Sequence, residues 1–161
     1  MKASQLDFLA MWVKNITETD NGFRAVVSPN RIYEAETLSG IFRLIRDYVT
    51  REIVTLVSEA LNVDIEKVFR KKQKQEISDA KFISIFIIRS ITDCTEEQTG
   101  ALFNIDHSTV NWAVKQVKNI DVLQTKLRYV YSCYPFLTGY IKNKPHAYKI
   151  FCDSSQSAEL D

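Results

Sequence analysis

Residues 95–120, TEEQTGALFNIDHSTVNWAVKQVKNI, decide the fold. Thr95 followed three residues on by Gln98 is the pattern of a capping box, and it predicts a short helix, TEEQTGALF, ending near Asn104. A bend of a few residues comes next. From Ser108 onward, Val110, Ala113, Val114, Val117 and Ile120 recur at the spacing of one buried helical stripe. Two helices joined by a tight turn, the second longer and polar at its front, make a helix-turn-helix over 95–120.

That polar front sets Asp106, His107 and Ser108 side by side. A catalytic triad needs three side chains to converge, whereas neighbours on a helix point about 100° apart, so adjacency argues against one. A metal site wants a second ligand three or four residues on, and positions 110 and 111 are Val and Asn. The four glycines, at 22, 40, 100 and 139, are scattered and leave no phosphate-binding loop. No enzyme, catalytic residue, metal or cofactor is therefore expected. Two readings of the stretch remain. In one, Asp106 or Ser108 caps the helix and His107 is an exposed bystander. In the other, the helix N-terminus offers N–H groups to a phosphate and short polar side chains to base edges.

Working towards the N-terminus, Ser78 is placed to cap a helix running to about Thr92, apolar on most faces and therefore central to the core. Before it, RKKQKQ (70–75) has no apolar member and must be solvated or bound to an anion, and Asp64 caps one short helical turn. Ile41, Phe42, Ile45, Tyr48, Val49, Ile53, Leu56, Val57, Ala60 and Leu61 predict a long helix from Thr37, capped by Thr37 or Ser39. FRAVV and RIYEA flank Ser28-Pro29-Asn30 as a small hairpin or an extended connector, TETDNG (17–22) reads as a turn, and Leu6, Leu9, Trp12, Val13 and Ile16 mark a short helix over 4–16. Beyond Asp121 a further helix runs through Leu123, Leu127, Val130 and Tyr131 towards Pro135, and DSSQSAELD reads as a frayed tail. The expected fold is all-α, a helical bundle containing a helix-turn-helix, with a small β-hairpin or extended segment near residues 22–35. Its expected organisation is an N-terminal appendage (1–36), a helical domain (37–142) and a C-terminal tail (143–161).

With 161 residues and a net charge of +1, the chain is no polyelectrolyte, so any role with nucleic acid must rest on a local patch. One exists: Lys67, Arg70, Lys71, Lys72 and Lys74 have no acid among them before Glu76. Phosphate anchors of this kind fix register while a recognition helix reads sequence. Cys94, Cys133 and Cys152 lack Cys-x-x-Cys spacing, and with two histidines they offer no zinc set, which suits reduced thiols in the cytoplasm. The start, MKASQLDFLAMWVKN, is no signal peptide, and the longest apolar run, FISIFII, is too short for a membrane span.

The segment from about Arg51 to Ile120 resembles the C-terminal DNA-binding domain of the bacterial chromosomal replication initiator DnaA, a relative of the Trp-repressor fold. The resemblance follows the order LNVDIEKVFRKKQKQ, DAKFISIFIIRSIT, TEEQTGALF, DHSTVNWAVKQVKN. Its most distinctive block is Asp106-His107-Ser108-Thr109-Val110 with Ala113. The resemblance implies that Asp106, His107, Ser108 and Thr109 enter the major groove and that the loop of Arg70, Lys71, Lys72 and Lys74 reaches the neighbouring minor groove. Lys115 and Lys118 would support on the backbone. Where the family has a basic, proline-containing start to its central helix, SDAK keeps Lys81 alone and brings Asp79 near the DNA. The turn before Asp106 is one residue shorter and lacks the family's paired glycines. Residues 1–50 are too few for the family's ATP-binding module, so a stand-alone relative is expected, of the kind a phage, plasmid or other mobile element carries.

The resemblance thus implies sequence-specific binding of double-stranded DNA in replication initiation or its regulation, with no nucleotide and no membrane. A rival reading is a protein-interaction module that keeps the fold and binds a replisome or host partner through its terminal segments, using Tyr129, Tyr131, Tyr134, Phe136 and Tyr140. The plainer role of those aromatics is to cover the core.

Overall fold

A computed structural model describes residues 15–28, 31–70, 74–92 and 94–138. The expected helix over 4–14 and the tail fall outside those residues. Three strands, β1 (Asn15–Thr19), β2 (Gly22–Ser28) and β3 (Arg31–Ala35), form an antiparallel sheet in the order β1-β2-β3. Six helices follow: α1 (Leu38–Leu61), α2 (Ile65–Val68), α3 (Gln75–Ile91), α4 (Glu96–Phe103), α5 (His107–Asn119) and α6 (Asp121–Cys133). The chain is mostly helical, as the periodicities predict, with a sheet one strand larger than a hairpin.

The extra strand is a correction. Ile16 pairs with Ala25 in β1 and does not extend a helix, and the turn expected over 17–22 shrinks to Asp20 and Asn21, with Thr19 opposite Gly22. β-branched Ile16, Thr17 and Thr19 favour the extended chain, and Gly22 supplies the special backbone. Its φ is +144°, and a Cβ there would stand 2.3 Å from the Ala35 carbonyl oxygen. Ala25 of β2 is fully buried with Ile41 and Ile45 of α1. At the sheet's other end Tyr33 meets Tyr48 edge to face, and the Arg31 guanidinium lies over the Tyr48 ring, 5.6 Å from its centre.

Thr37, not Ser39, caps α1, its hydroxyl accepting from the Gly40 N–H at 3.0 Å. Buried Ile41, Ile45, Val49, Ile53 and Val57 recur every four residues along one face. The helix stops at Asn62, whose φ of 55° is left-handed, and Asp64 caps α2 as its position predicts. α3 starts a turn earlier than its sequence suggests, because Lys74 is the N-cap residue and Ser78 lies inside the helix. Gln75 and Glu76 are good helix formers, and the Gln75 amide reaches Asp79 one turn on at 2.8 Å. Ile83, Ile85, Ile87, Ile88 and Ile91 make α3 the centre of the core, each burial contributing roughly 1.5–3 kcal/mol. Around it pack α1, α5 and α6, and Tyr131, Tyr134 and Phe136 lie half-buried against the same core, while Tyr129 stays exposed.

Candidate nucleic-acid interface

The α4–turn–α5 unit is built by local chemistry. Thr95 and Gln98 close a reciprocal capping box, each side chain taking the other residue's backbone N–H at 3.1 and 3.0 Å. α4 ends on Asn104 with φ 56°, a left-handed residue that bends the chain where the family's glycines would. Gly100 lets the bend close: its carbonyl accepts from the Ile105 N–H at 2.9 Å, and a Cβ there would stand 2.5 Å from the Ile105 oxygen. Asp106 then caps α5.

One oxygen of the Asp106 carboxylate accepts three bonds: from the Ser108 hydroxyl at 2.6 Å, the Thr109 N–H at 2.8 Å and the Thr109 hydroxyl at 3.0 Å. The Ser108 hydroxyl leads these donors in lowering the Asp106 pKa to about 2. Asp106, Ser108 and Thr109 thus form one connected group at the start of α5. The Ser108 hydroxyl donates its hydrogen bond to Asp106 and not to His107, so a nucleophile–base pair is not assembled here. His107 is the first residue of α5 and is exposed.

Val110, Ala113 and Val117 are buried, which turns Ser108, Asn111, Lys115, Lys118 and Asn119 to solvent on the opposite face. Trp112 belongs with them at 51% exposure, held by Phe82 of α3 edge to face at 5.3 Å between ring centres. The apolar stripe of Val110, Ala113 and Val117 does not include this residue. Its signal was a large aromatic four positions after Ser108, off the apolar stripe.

The basic loop joins α2 to α3, and Lys71 and Lys72 lie outside the described residues. Arg70 and Lys74, on either side, are exposed. Phe69 stacks on Phe103 of α4 with ring centres 5.6 Å apart, fixing the loop's start against the helix-turn-helix. Gln75, the first residue of α3 after Lys74, lines a groove with Asp79, Phe82, Trp112 and Gln116, between α3, α5 and the start of α6. Lys81 holds a post other than the one expected of it: only 5% exposed, it donates its ammonium to the Arg70 carbonyl, and burial pushes its pKa down. It contributes by holding the loop, not by presenting a charge. Asp79, expected to face DNA, is also buried, with one carboxylate oxygen on Gln75 and the other on the Lys126 ammonium at 2.8 Å.

Residues 50–117 match the family described as the bacterial DnaA protein helix-turn-helix. By this match the segment is similar to that helix-turn-helix. The matched span runs from inside α1 to the end of α5's buried stripe, taking in the loop between α2 and α3. A stretch of 72 residues, 44% of the chain, is 33% identical to 16% of the chromosomal replication initiator protein DnaA of Thermodesulfovibrio yellowstonii. A longer stretch of 134 residues, 76% of the chain, is 25% identical to 29% of the same-named protein from two strains of Ehrlichia ruminantium, Gardel and Welgevonden. The chain therefore spans less than a third of the length of these DnaA relatives. Among the described residues no helix is long and apolar enough to cross a membrane.

Proposed function

We propose that the chain binds double-stranded DNA in a sequence-specific way and acts in replication initiation or its regulation, in the cytoplasm. The observation that carries this reading is the match of residues 50–117, which span the basic loop and most of α5, to the bacterial DnaA helix-turn-helix. Asp106, His107, Ser108 and Thr109 are the readers, with Trp112 beside them to offer an apolar face to sugar or thymine methyl. Arg70, Lys71, Lys72 and Lys74 are phosphate anchors, Lys115 and Lys118 support on the backbone, and Lys81 positions the loop. Half-burial of Tyr131, Tyr134 and Phe136 against the core favours this reading over a protein-interaction module built on the aromatic end.

The test is the salt dependence of duplex binding by wild type and two variants. Each phosphate contact contributes about −0.9 to the log–log slope, so three to five anchors give roughly −3 to −5. Lys74→Ala should lower affinity for every duplex and reduce the slope by about one, while His107→Ala should cut discrimination between sites roughly fivefold or more at nearly unchanged slope. A flat salt response, or two variants that behave alike, contradicts the division into readers and anchors.

A further inference from the structure

Away from that groove, α1 and α4 frame a cleft of about 370 Å³ lined by Arg43, Arg46, Asp47, Arg51, Gln98 and Thr99, with an apolar back wall. Its volume falls within the roughly 300–1,000 Å³ of small-molecule sites. Positions 43, 46–47 and 51 follow one another along a single face of α1, so three guanidinium groups come from one helical stripe. Among the described residues no carboxylate pairs with Arg43 or Arg51. The Arg51 guanidinium lies over the Phe69 ring, 5.3 Å from its centre, which occupies its flat face and leaves its in-plane N–H fork for an oxyanion. Thr99 is 1% exposed, and its hydroxyl is buried without a hydrogen-bond partner among the described residues. Native proteins seldom leave such a group unpaired, and a ligand atom in the cleft is one way to satisfy it.

Asp47 selects among anions. A bare phosphate between the arginines would meet its carboxylate as a like charge, whereas a phosphate ester carrying hydroxyl groups could donate a hydrogen bond to it. We infer that the cleft binds a small phosphomonoester bearing hydroxyls, of sugar-phosphate size, with its phosphate on Arg43 and Arg51 and a hydroxyl on Asp47. A concave site of this depth suits a small molecule better than the convex backbone of a duplex. This assignment is independent of the DNA reading, because it uses none of the residues of the loop or of α5.

The experiment is a titration of the full chain, ¹⁵N-labelled, with ribose 5-phosphate and separately with inorganic phosphate. The expected result is saturable movement of the Arg51, Gln98 and Thr99 amide signals, with ribose 5-phosphate binding at least about threefold tighter than phosphate. Arg51→Lys keeps the charge but loses the fork, and should weaken binding about tenfold. Asp47→Asn should abolish the preference between the two ligands, and it carries the test if Arg51→Lys fails to fold. Lys74→Ala should change neither. Shifts spread over the basic loop and α5, equal binding of both ligands, or an unchanged affinity in Arg51→Lys would overturn the assignment. So would movement of the α4 signals by duplex DNA but not by ribose 5-phosphate, which would make the cleft part of the DNA footprint.

Discussion

Asp106 does two jobs with one side chain: it closes the first turn of α5, and it fixes the orientation of the Ser108 and Thr109 hydroxyls. Its pKa of about 2 lies below the 3.8 of an unperturbed aspartate, so the folded state favours the ionised form. The cap's support is complete above about pH 4 and is lost as pH falls from there through 2. A carboxyl-carbon NMR titration should give Asp106 a midpoint near 2, and a midpoint near 4 would mean that the three bonds are not made in solution. At this scale the sequence was most informative about caps: Thr37, Asp64, Thr95 with Gln98, and Asp106 all serve at the ends their spacing suggested. It was least informative about long side chains. Lys81 and Asp79 look like surface charges in a linear reading, yet their partners, Arg70 and Lys126, stand 11 and 47 residues away.

At the scale of elements, the turn between α4 and α5 sets how the second helix leaves the first. Gly100 and Asn104 meet its two demands, close approach and left-handed backbone, without the paired glycines that the family pattern suggests. Gly100→Ala should cost about 1–3 kcal/mol, because the new Cβ meets backbone and not a flexible side chain. Asn104→Ala should cost about 1–2 kcal/mol, and Asn104→Gly should be close to neutral. Chemical denaturation of the three variants measures both effects, and a neutral Gly100→Ala would contradict the tight α4–α5 approach. Helices were legible because their apolar stripes repeat over many turns. β1 was not, because five residues with one apolar member, Ile16, continue the spacing of the stretch before them, and only the Asp20-Asn21-Gly22 turn gave the strand away.

Across the whole molecule, the pair of buried Asp79 with half-buried Lys126 ties the front of α3 to α6 and neutralises an acid that lines the groove between α3 and α5. Lys126→Met would strand the Asp79 carboxylate. With the Lys126 side chain 30% exposed, the expected cost is about 2 kcal/mol, below the roughly 3–5 of a fully buried pair. Calorimetric melting tests this, and an unchanged midpoint would make the pair incidental. With a net charge of only +1, any attraction for DNA must rest on local patches, among them the exposed Arg70 and Lys74 at either side of the loop and Lys115 and Lys118 of α5. The most direct test of the central claim is selection of bound duplexes from a random pool at moderate salt by the wild-type chain and by His107→Ala. A short motif enriched by the wild type and blurred in the variant is the predicted result, and a pool that stays random in both would contradict the claim that α5 reads DNA sequence.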